Sequence, residues 1–310
     1  MQLIRCRIAV LGSIFLAPLL AWQNPFLGRW NFNIQTPGGQ RASWLGIYDR
    51  GGALEVWYQP TGGNVFQVKD ARIEDGKLIL NIAASGPNRP AVVWELENRG
   101  GKLVGVARRG DAVTPLEGKP APELKRPEPR EWSEPRPLFN GRDLTGWEPA
   151  GNPANSHWKA INGELVNEKL GANLKTTEKF EDFRLHFEVM LPEHTNSGFY
   201  LRGRYEIQLE NEPGGTSPPE RRMGSVYGRI APKPAPANRP GQWDVFDVTL
   251  VGRTLTVVQN GVVTIDRQEI EGITGGALDA DEELPGPFLI QGDHAGGVRF
   301  RNITVSVPKR

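Results

Sequence analysis

The chain has 310 residues, of which 37 are basic and 36 acidic, so its formal net charge is +1. This balance gives no electrostatic basis for binding nucleic acid or an anionic membrane. The 37 glycines and 26 prolines, together with many short alternating apolar runs, are typical of an all-β chain with many turns.

The first 21 residues have the pattern of a secretory signal peptide. Arg5 and Arg7 precede an apolar run at residues 8–20, and Ala21 offers a small side chain at a cleavage point. The run is too short to span a bilayer comfortably. We therefore expect a periplasmic or secreted protein with no transmembrane span after processing. The single cysteine, Cys6, lies in this segment, so the processed chain would lack thiols for disulfides, catalysis or metal binding.

Residues 26–116 contain about eight short strand patterns. Turn signals such as Gly51-Gly52 and Asp75-Gly76 separate them, which predicts an antiparallel meander closing into a small barrel-like domain. The opening Gly28-Arg29-Trp30 resembles the Gly-x-Trp start of lipocalin-like barrels. Four tryptophans either fill the core, which is the commoner case, or line a ligand cavity; they are Trp30, Trp44, Trp57 and Trp94. Because this unit has no paired ionisable cluster, we expect no catalysis from it.

Residues 117–137 are predicted to form a proline-rich linker. Seven prolines lie between residues 114 and 137. Proline cannot donate to a strand ladder and favours the polyproline II conformation. The segment is therefore predicted to be a semi-rigid tether between two domains.

Residues 138–308 are predicted to form a second, larger all-β domain. Residues 182–191 alternate cleanly between apolar and polar side chains, and strand patterns recur at residues 243–251 and 298–305. Asn260-Gly261 predicts a tight hairpin turn. Ten or more strand patterns without a helical period indicate two packed antiparallel sheets, a sandwich or jelly roll.

Residues 197–211 read as two consecutive strands with a polar row. Tyr205, Ile207 and Leu209 point to one side, while Glu206, Gln208 and Glu210 point to the other. We expect this polar row and Arg202 on the solvent-facing side. Carboxylates and an amide beside an arginine suit sugar hydroxyls, which need both donors and acceptors. The alternative interpretation is that this polar row is simply a solvated outer face of the sheet.

Several blocks in residues 138–306 carry a family resemblance. They include PLFNGRDLTGWEPA, NSGFYLRGRYEIQLEN, GQWDVFDVTLVGRTLTVVQNG and GPFLIQGDH. In these blocks the chain resembles the 3-keto-disaccharide hydrolase domain family. The resemblance implies a concanavalin-like jelly roll that cleaves 3-keto-glycosides, functionally coupled to a sugar 3-dehydrogenase. Relatives usually carry an aspartate just after the YEIQ block, where this chain has Glu210-Asn211.

The reaction that the resemblance implies requires three groups. A ketone at C3 acidifies the C2 proton, so a base removes it, an electrophile stabilises the C3 oxygen, and an acid assists the group leaving C1. Hydration then gives net hydrolysis. We expect His294 to be the base, with Asp293 or Glu206 replacing or orienting it, and Arg202 to polarise the ketone. We expect seven residues to bind the sugar: Tyr200, Gln208, Glu210, Tyr227, Trp243, Asn260 and Gln291.

Several alternatives stay open. A divalent cation held by His294, Asp293, Glu206 and Glu210 would be another electrophile, although their spacing matches no local metal motif. The remaining histidines, His157, His186 and His194, are expected to be structural or solvated.

Two other functions compete with the elimination reaction. One is a carbohydrate-binding module without chemistry. The other is a retaining glycosidase built on Glu206 and Glu210. These residues lie four positions apart on one strand, which separates their Cα atoms by roughly 13 Å. A retaining glycosidase needs its two carboxyl groups about 5 Å apart. The loop at residues 212–240, interrupted by a predicted strand at 225–230, is expected to border the cleft, and residues 272–287 are expected to form a loop over one end of the sandwich.

Overall fold

The computed structural model describes residues 24–36, 39–84, 90–237, 239–294 and 296–309. The predicted signal peptide lies outside these residues. In the described part, regular structure consists of 22 strands and two short 3-10 helices, so the all-β prediction is confirmed. No helix of the described residues is long and apolar enough to cross a membrane.

Nine strands form the N-terminal sheet. They are β1 (Gly28–Thr36), β2 (Gly39–Arg50), β3 (Ala53–Gln59), β4 (Phe66–Val68), β5 (Asp70–Glu74), β6 (Lys77–Ile82), β7 (Val92–Arg99), β8 (Lys102–Arg109) and β9 (Ala112–Pro120). The order is β4-β3-β2-β1-β9-β8-β7-β6-β5, and β5 lies against β3. The sheet therefore nearly closes on itself, as the meander pattern predicted.

Strand alternation divides the tryptophans between two cores. Trp30 and Trp94 are buried inside the barrel, where the Trp94 ring packs edge-on against Phe32 at 5.2 Å. Trp44 points outward from the barrel and joins the core of the C-terminal domain. The guanidinium of Arg229 lies 4.2 Å above the Trp44 ring. The two domains therefore share a packed boundary.

The predicted linker is docked rather than free. Its first residues continue β9, because Pro120 pairs with Trp30 of β1. Farther on, Arg126 forms an ion pair with Asp182 at 3.1 Å, and Trp132 forms a bridge with Pro308. Proline fixes an extended backbone but does not prevent side-chain packing, so the segment lies along the outer face of the C-terminal domain.

Thirteen strands form the C-terminal domain. They are β10 (Arg136–Pro137), β11 (Trp147–Ala150), β12 (Trp158–Ile161), β13 (Glu164–Asn167), β14 (Asn173–Thr176), β15 (Phe183–Met190), β16 (Thr195–Leu201), β17 (Tyr205–Asn211), β18 (Trp243–Val251), β19 (Thr254–Gln259), β20 (Val262–Glu269), β21 (Leu289–Ile290) and β22 (Val298–Ser306). The 3-10 helices are Pro153–Asn155 and Pro219–Arg221.

These strands form two antiparallel sheets. The larger has the order β12-β13-β22-β15-β18-β19-β20, with β10 also on β22, and the smaller has the order β11-β14-β21-β16-β17. Phe187 of the larger sheet stacks at 4.4 Å on Phe199 of the smaller. The core therefore lies between two layers, which confirms the predicted sandwich.

Candidate functional site

The hairpin of β16 and β17 builds the polar side of the smaller sheet. Tyr200 lies directly opposite Glu206, and Gly198 lies opposite Gln208. Tyr205, Ile207 and Leu209 point into the core, as the alternation predicted. The polar row is covered, however: Glu206 is only 4% exposed and Gln208 2%. The prediction that these two side chains face solvent is wrong, because loops fold over the sheet.

Glu206 lies at the centre of a hydrogen-bonded group. The Tyr200 hydroxyl is 2.9 Å from Glu206 Oε2 and 2.8 Å from the Gly275 carbonyl, and Gln291 Nε2 donates to it at 2.9 Å. In the orientation that satisfies its partners, the Gln208 amide nitrogen donates to Glu206 Oε1 at 3.3 Å. Tyr200 is 1% exposed, so its ring offers no face for stacking on a sugar, and that predicted role is wrong.

The Glu206 carboxyl has a raised pKa. Burial raises the pKa of Glu206 to about 8, and nearby Asp293 adds to this, while the Tyr200 hydrogen bond and His294 oppose it. A carboxyl group that keeps its proton at neutral pH can donate a hydrogen bond or a proton to a bound molecule.

A glycine makes room for this carboxyl group. Gly198 of β16 lies directly opposite Gln208 of β17, and a Cβ added at Gly198 would overlap Glu206 Oε1. Oε1 therefore lies above Gly198, on the side of the sheet that faces away from the core. Any larger residue at position 198 would displace the carboxyl group.

Asp293 and His294 form a second pair beside Glu206. His294 Nδ1 is 2.7 Å from Asp293 Oδ1. This hydrogen bond and the charge of Asp293 raise the pKa of His294 above its ordinary value, against the opposing effect of burial, and Glu206 contributes only once it is ionised. Burial opposes ionisation of Asp293, but its bonds with His294 and Asn173 outweigh burial and lower its pKa.

The turn that carries this pair is anchored to the sheet. The Gln291 backbone amide donates to the Gly198 carbonyl at 2.9 Å, and the Gly292 backbone amide donates to Asn173 Oδ1 at 2.8 Å. Through these bonds the turn is tied to the same strand positions that hold Glu206. Asn173 was not predicted from the sequence, because nothing local marks an asparagine on a distant strand.

Two loops border the site, which the sequence predicted for the loop at residues 212–240 only. The Tyr227 backbone amide donates to the Glu206 backbone carbonyl at 3.0 Å, and Thr274 Oγ1 accepts from the Glu206 backbone amide at 3.0 Å. Burial and the charge of Glu206 raise the pKa of Tyr227, while a hydrogen bond with Arg221 opposes the rise. The predicted strand at residues 225–230 is wrong: Val226 makes only two isolated bridges, one to Ile207 of β17 and one to Ile230 across a tight turn.

Arg221 is a rim residue that the sequence reasoning missed. Its Nη1 donates to Asn64 Oδ1 at 3.3 Å, so it also connects the rim to the N-terminal domain. The available signal was the Glu220-Arg221-Arg222 run inside a loop predicted to border the cleft.

Arg202 is not at the site. It occupies the turn between β16 and β17 with φ of 53°, which takes it out of the strand alternation. Its side chain is fully buried, and Nη2 donates to the Tyr205 hydroxyl and the Gly252 carbonyl, both at 3.1 Å. Because Tyr205 faces the core and Glu206 the opposite side, Arg202 cannot polarise a substrate bound near Glu206.

Trp243 and Asn260 belong to the other layer. Trp243 points outward from the larger sheet, with the Arg301 guanidinium 4.0 Å from its ring. Asn260 Nδ2 donates to Asp244 at 2.6 Å, and its Oδ1 accepts from the Val245 amide at 2.9 Å. Asn260 therefore holds the predicted hairpin turn, but both predicted sugar-binding roles are wrong, because periodicity does not say which sheet a strand joins.

Glu210 lies at the far end of the polar row. It is half-buried, and burial with the nearby charge of Glu212 raises its pKa. It lines a pocket of about 280 Å³ together with Arg222 and Met223. Among the described residues, no group of three or more His, Cys, Asp or Glu side chains could hold a metal ion, so the predicted four-residue set does not come together.

Comparisons with known proteins identify the family of the C-terminal part of the chain. The family of 3-keto-alpha-glucoside-1,2-lyase-like domains matches residues 134–306. A candidate glycosyl hydrolase of known structure from Parabacteroides distasonis ATCC 8503 is 27% identical, with 59% of this chain and 93% of that chain covered and a TM-score of 0.48. A second from the same organism is 20% identical, with 55% and 92% covered and a TM-score of 0.46. The carbohydrate-binding module CBM66 from Bacillus subtilis is 13% identical, with 53% and 97% covered and a TM-score of 0.36. A comparison with curated proteins gave no match.

Proposed function

Because the chain belongs to the family of 3-keto-alpha-glucoside-1,2-lyase-like domains, we propose that it cleaves glycosidic bonds in 3-keto-glycosides. The observation that best supports this reaction at this site is the pairing of a neutral, buried carboxyl group, Glu206, with an aspartate-oriented imidazole, His294.

The chemistry proceeds in three steps. A base removes the proton from C2, and the electron pair left behind delocalises onto the C3 oxygen as an enolate. The enolate then re-forms the ketone, a C1–C2 double bond forms, and the bond from C1 to the glycosidic oxygen breaks, with a proton supplied to that oxygen. Water adds back across the double bond, its oxygen to C1 and a proton to C2, which gives net hydrolysis.

His294 is the base in this proposal. Asp293 holds Nδ1, so Nε2 of the neutral imidazole accepts the C2 proton, and the carboxylate stabilises the resulting imidazolium. The raised pKa of His294 strengthens it as a base but requires a pH high enough to deprotonate it.

Glu206 takes the role that the sequence assigned to Arg202. In this proposal the Tyr200 hydroxyl donates to Oε2 and the carboxyl proton lies on Oε1 above Gly198, where it can hydrogen-bond to the C3 oxygen as negative charge develops. Gln208 and Gln291 fix this arrangement from either side. Tyr227, protonated and at the rim, donates a proton to the leaving oxygen.

A direct comparison of substrates tests the proposal. A 3-keto aryl glucoside and its unoxidised parent are incubated with the protein, with and without a chelator, and release of the aryl group is followed. Release only from the keto form is expected. Comparable release from both forms would indicate a conventional glycosidase, and binding without release would indicate a carbohydrate-binding module. Loss of release with chelator would restore the metal alternative.

A further inference from the structure

A cavity lies at one end of the N-terminal barrel, lined by residues at the ends of its strands. Its volume is about 510 Å³, within the range of small-molecule sites. Its wall is mainly apolar and includes the edge-packed rings of Tyr58, Phe66 and Trp94, with centroids 5.1 Å apart for Tyr58 and Trp94. None of the described lining residues belongs to the candidate site around Glu206, so this is a separate cavity.

Two arginines stand at the mouth of this cavity on inward-facing strand positions. Arg41 of β2 pairs with Ile34 and has the same parity as the core residue Leu45. Arg109 of β8 pairs with Ala112 and has the same parity as the core residue Leu103. Both are exposed at the ends of their strands. Arginine thus replaces the apolar residue that the alternation would otherwise place there.

The charge at this mouth is unbalanced. Among the described residues that line the cavity, two are arginines and none is acidic. Over the same described residues, neither Arg41 nor Arg109 forms an ion pair, whereas the outward-facing Arg108 pairs with Glu95 at 3.1 Å. A guanidinium binds a carboxylate through two parallel hydrogen bonds.

From the cavity, its aromatic wall and two arginines that form no ion pair with a described residue, we propose that this end of the barrel binds a small apolar molecule with one carboxylate. The apolar body lies against Phe66 and Ile34, which are partly exposed, and the carboxylate lies at the mouth between Arg41 and Arg109. This site is independent of the proposed function, because it uses neither Glu206 nor His294.

Isothermal titration calorimetry with 2-naphthoate and its neutral isostere 2-naphthamide tests the site. The wild-type protein is expected to bind naphthoate more tightly than naphthamide. The double variant Arg41→Ala, Arg109→Ala should bind naphthoate about ten-fold or more weakly and naphthamide unchanged. The matched control Arg108→Ala, one residue away on the outer face, should bind both as the wild type does.

A third variant tests the cavity itself. Ala107→Leu adds bulk to the wall and should weaken both ligands, with circular dichroism and thermal unfolding confirming the fold. If it does not fold, the exposed arginine variants still decide the question. No naphthoate binding by the wild type, equal loss in Arg108→Ala, or an unchanged affinity in the double variant would overturn the proposal. Turnover of a 3-keto-glucoside should be unchanged in all arginine variants.

Discussion

The hydroxyl of Tyr200 lies 2.9 Å from Oε2 of Glu206, its direct partner across the β16–β17 hairpin. This bond is made between two buried side chains and fixes the orientation of the carboxyl group. Because burial keeps Glu206 protonated, the pair can act as one preorganised donor rather than as a charged sugar ligand.

Replacing Glu206 by glutamine tests its protonation state. Glu206→Gln keeps a neutral donor of the same shape, so at pH 7 it should retain much more activity than Glu206→Ala. We expect the alanine variant to lose about a hundred-fold or more in kcat. A glutamine variant as inactive as the alanine variant would show that ionisation of Glu206 is required. Rates are compared at saturating 3-keto-glucoside.

The same carboxyl group makes stability depend on pH. The unfolded chain releases this proton near the ordinary value of 4.5, whereas the folded protein holds it until about 8. Rising pH therefore favours unfolding between these values, by up to about 1.4 kcal/mol per pH unit for this group.

Chemical unfolding of the wild type and Glu206→Gln across pH 4.5 to 8 measures this effect. The wild type should lose stability relative to the variant as pH rises. Parallel curves would mean that Glu206 titrates normally in the folded protein.

Asp293→Asn should move the rising limb of the pH–rate profile most, with a smaller shift of the falling limb to lower pH, because the Asp293 charge also raises the pKa of Glu206. In the wild type, activity rises with pH as His294 loses its proton, above the ordinary pKa of 6.5, and falls as Glu206 ionises near 8. Removing the carboxylate beside His294 lowers the pKa of the imidazole, so the rising limb should shift to lower pH. The plateau should also fall, by about ten-fold or more, because the ring loses its orienting partner. If the rising limb does not shift, His294 is not the group whose loss of a proton raises the activity.

Gly198→Ala should reduce activity through a steric effect. The added methyl group overlaps Glu206 Oε1 and displaces the carboxyl group, with a stability cost of about 1–3 kcal/mol. Gly62→Ala is the matched control, since a Cβ there meets no neighbouring atom within 4 Å. Equal activity in the two variants would show that the position of Oε1 is unimportant.

The sequence predicted which residues share a face but not how deeply they lie. Period-two alternation placed Glu206 and Gln208 opposite Tyr205 and Ile207, and the structure has that arrangement. It could not show that distant loops cover the polar row, because burial depends on long-range folding. The raised pKa of Glu206 results from this burial, so the sequence could not predict it either.

The errors in the site have two physical sources. Arg202 was read as a strand residue, but the Arg202-Gly203 turn interrupts the period and turns the side chain toward the core. Trp243 and Asn260 lie in the strand and the hairpin turn that the sequence predicted. These elements belong to the larger sheet, however, whereas the candidate site lies on the smaller one. A single sequence gives the period of each strand but not the sheet that the strand joins.

Exchange of the C2 proton with deuterium tests the central claim most directly. A 3-keto-glucoside and its unoxidised parent are incubated in D₂O with the wild type and with His294→Ala, and the C2 signal is followed by NMR before and during cleavage. We predict that the wild type accelerates deuterium incorporation at C2 or cleavage with loss of that proton, for the keto form alone, and that His294→Ala abolishes it. Cleavage of the keto form with the original C2 proton retained would contradict the account.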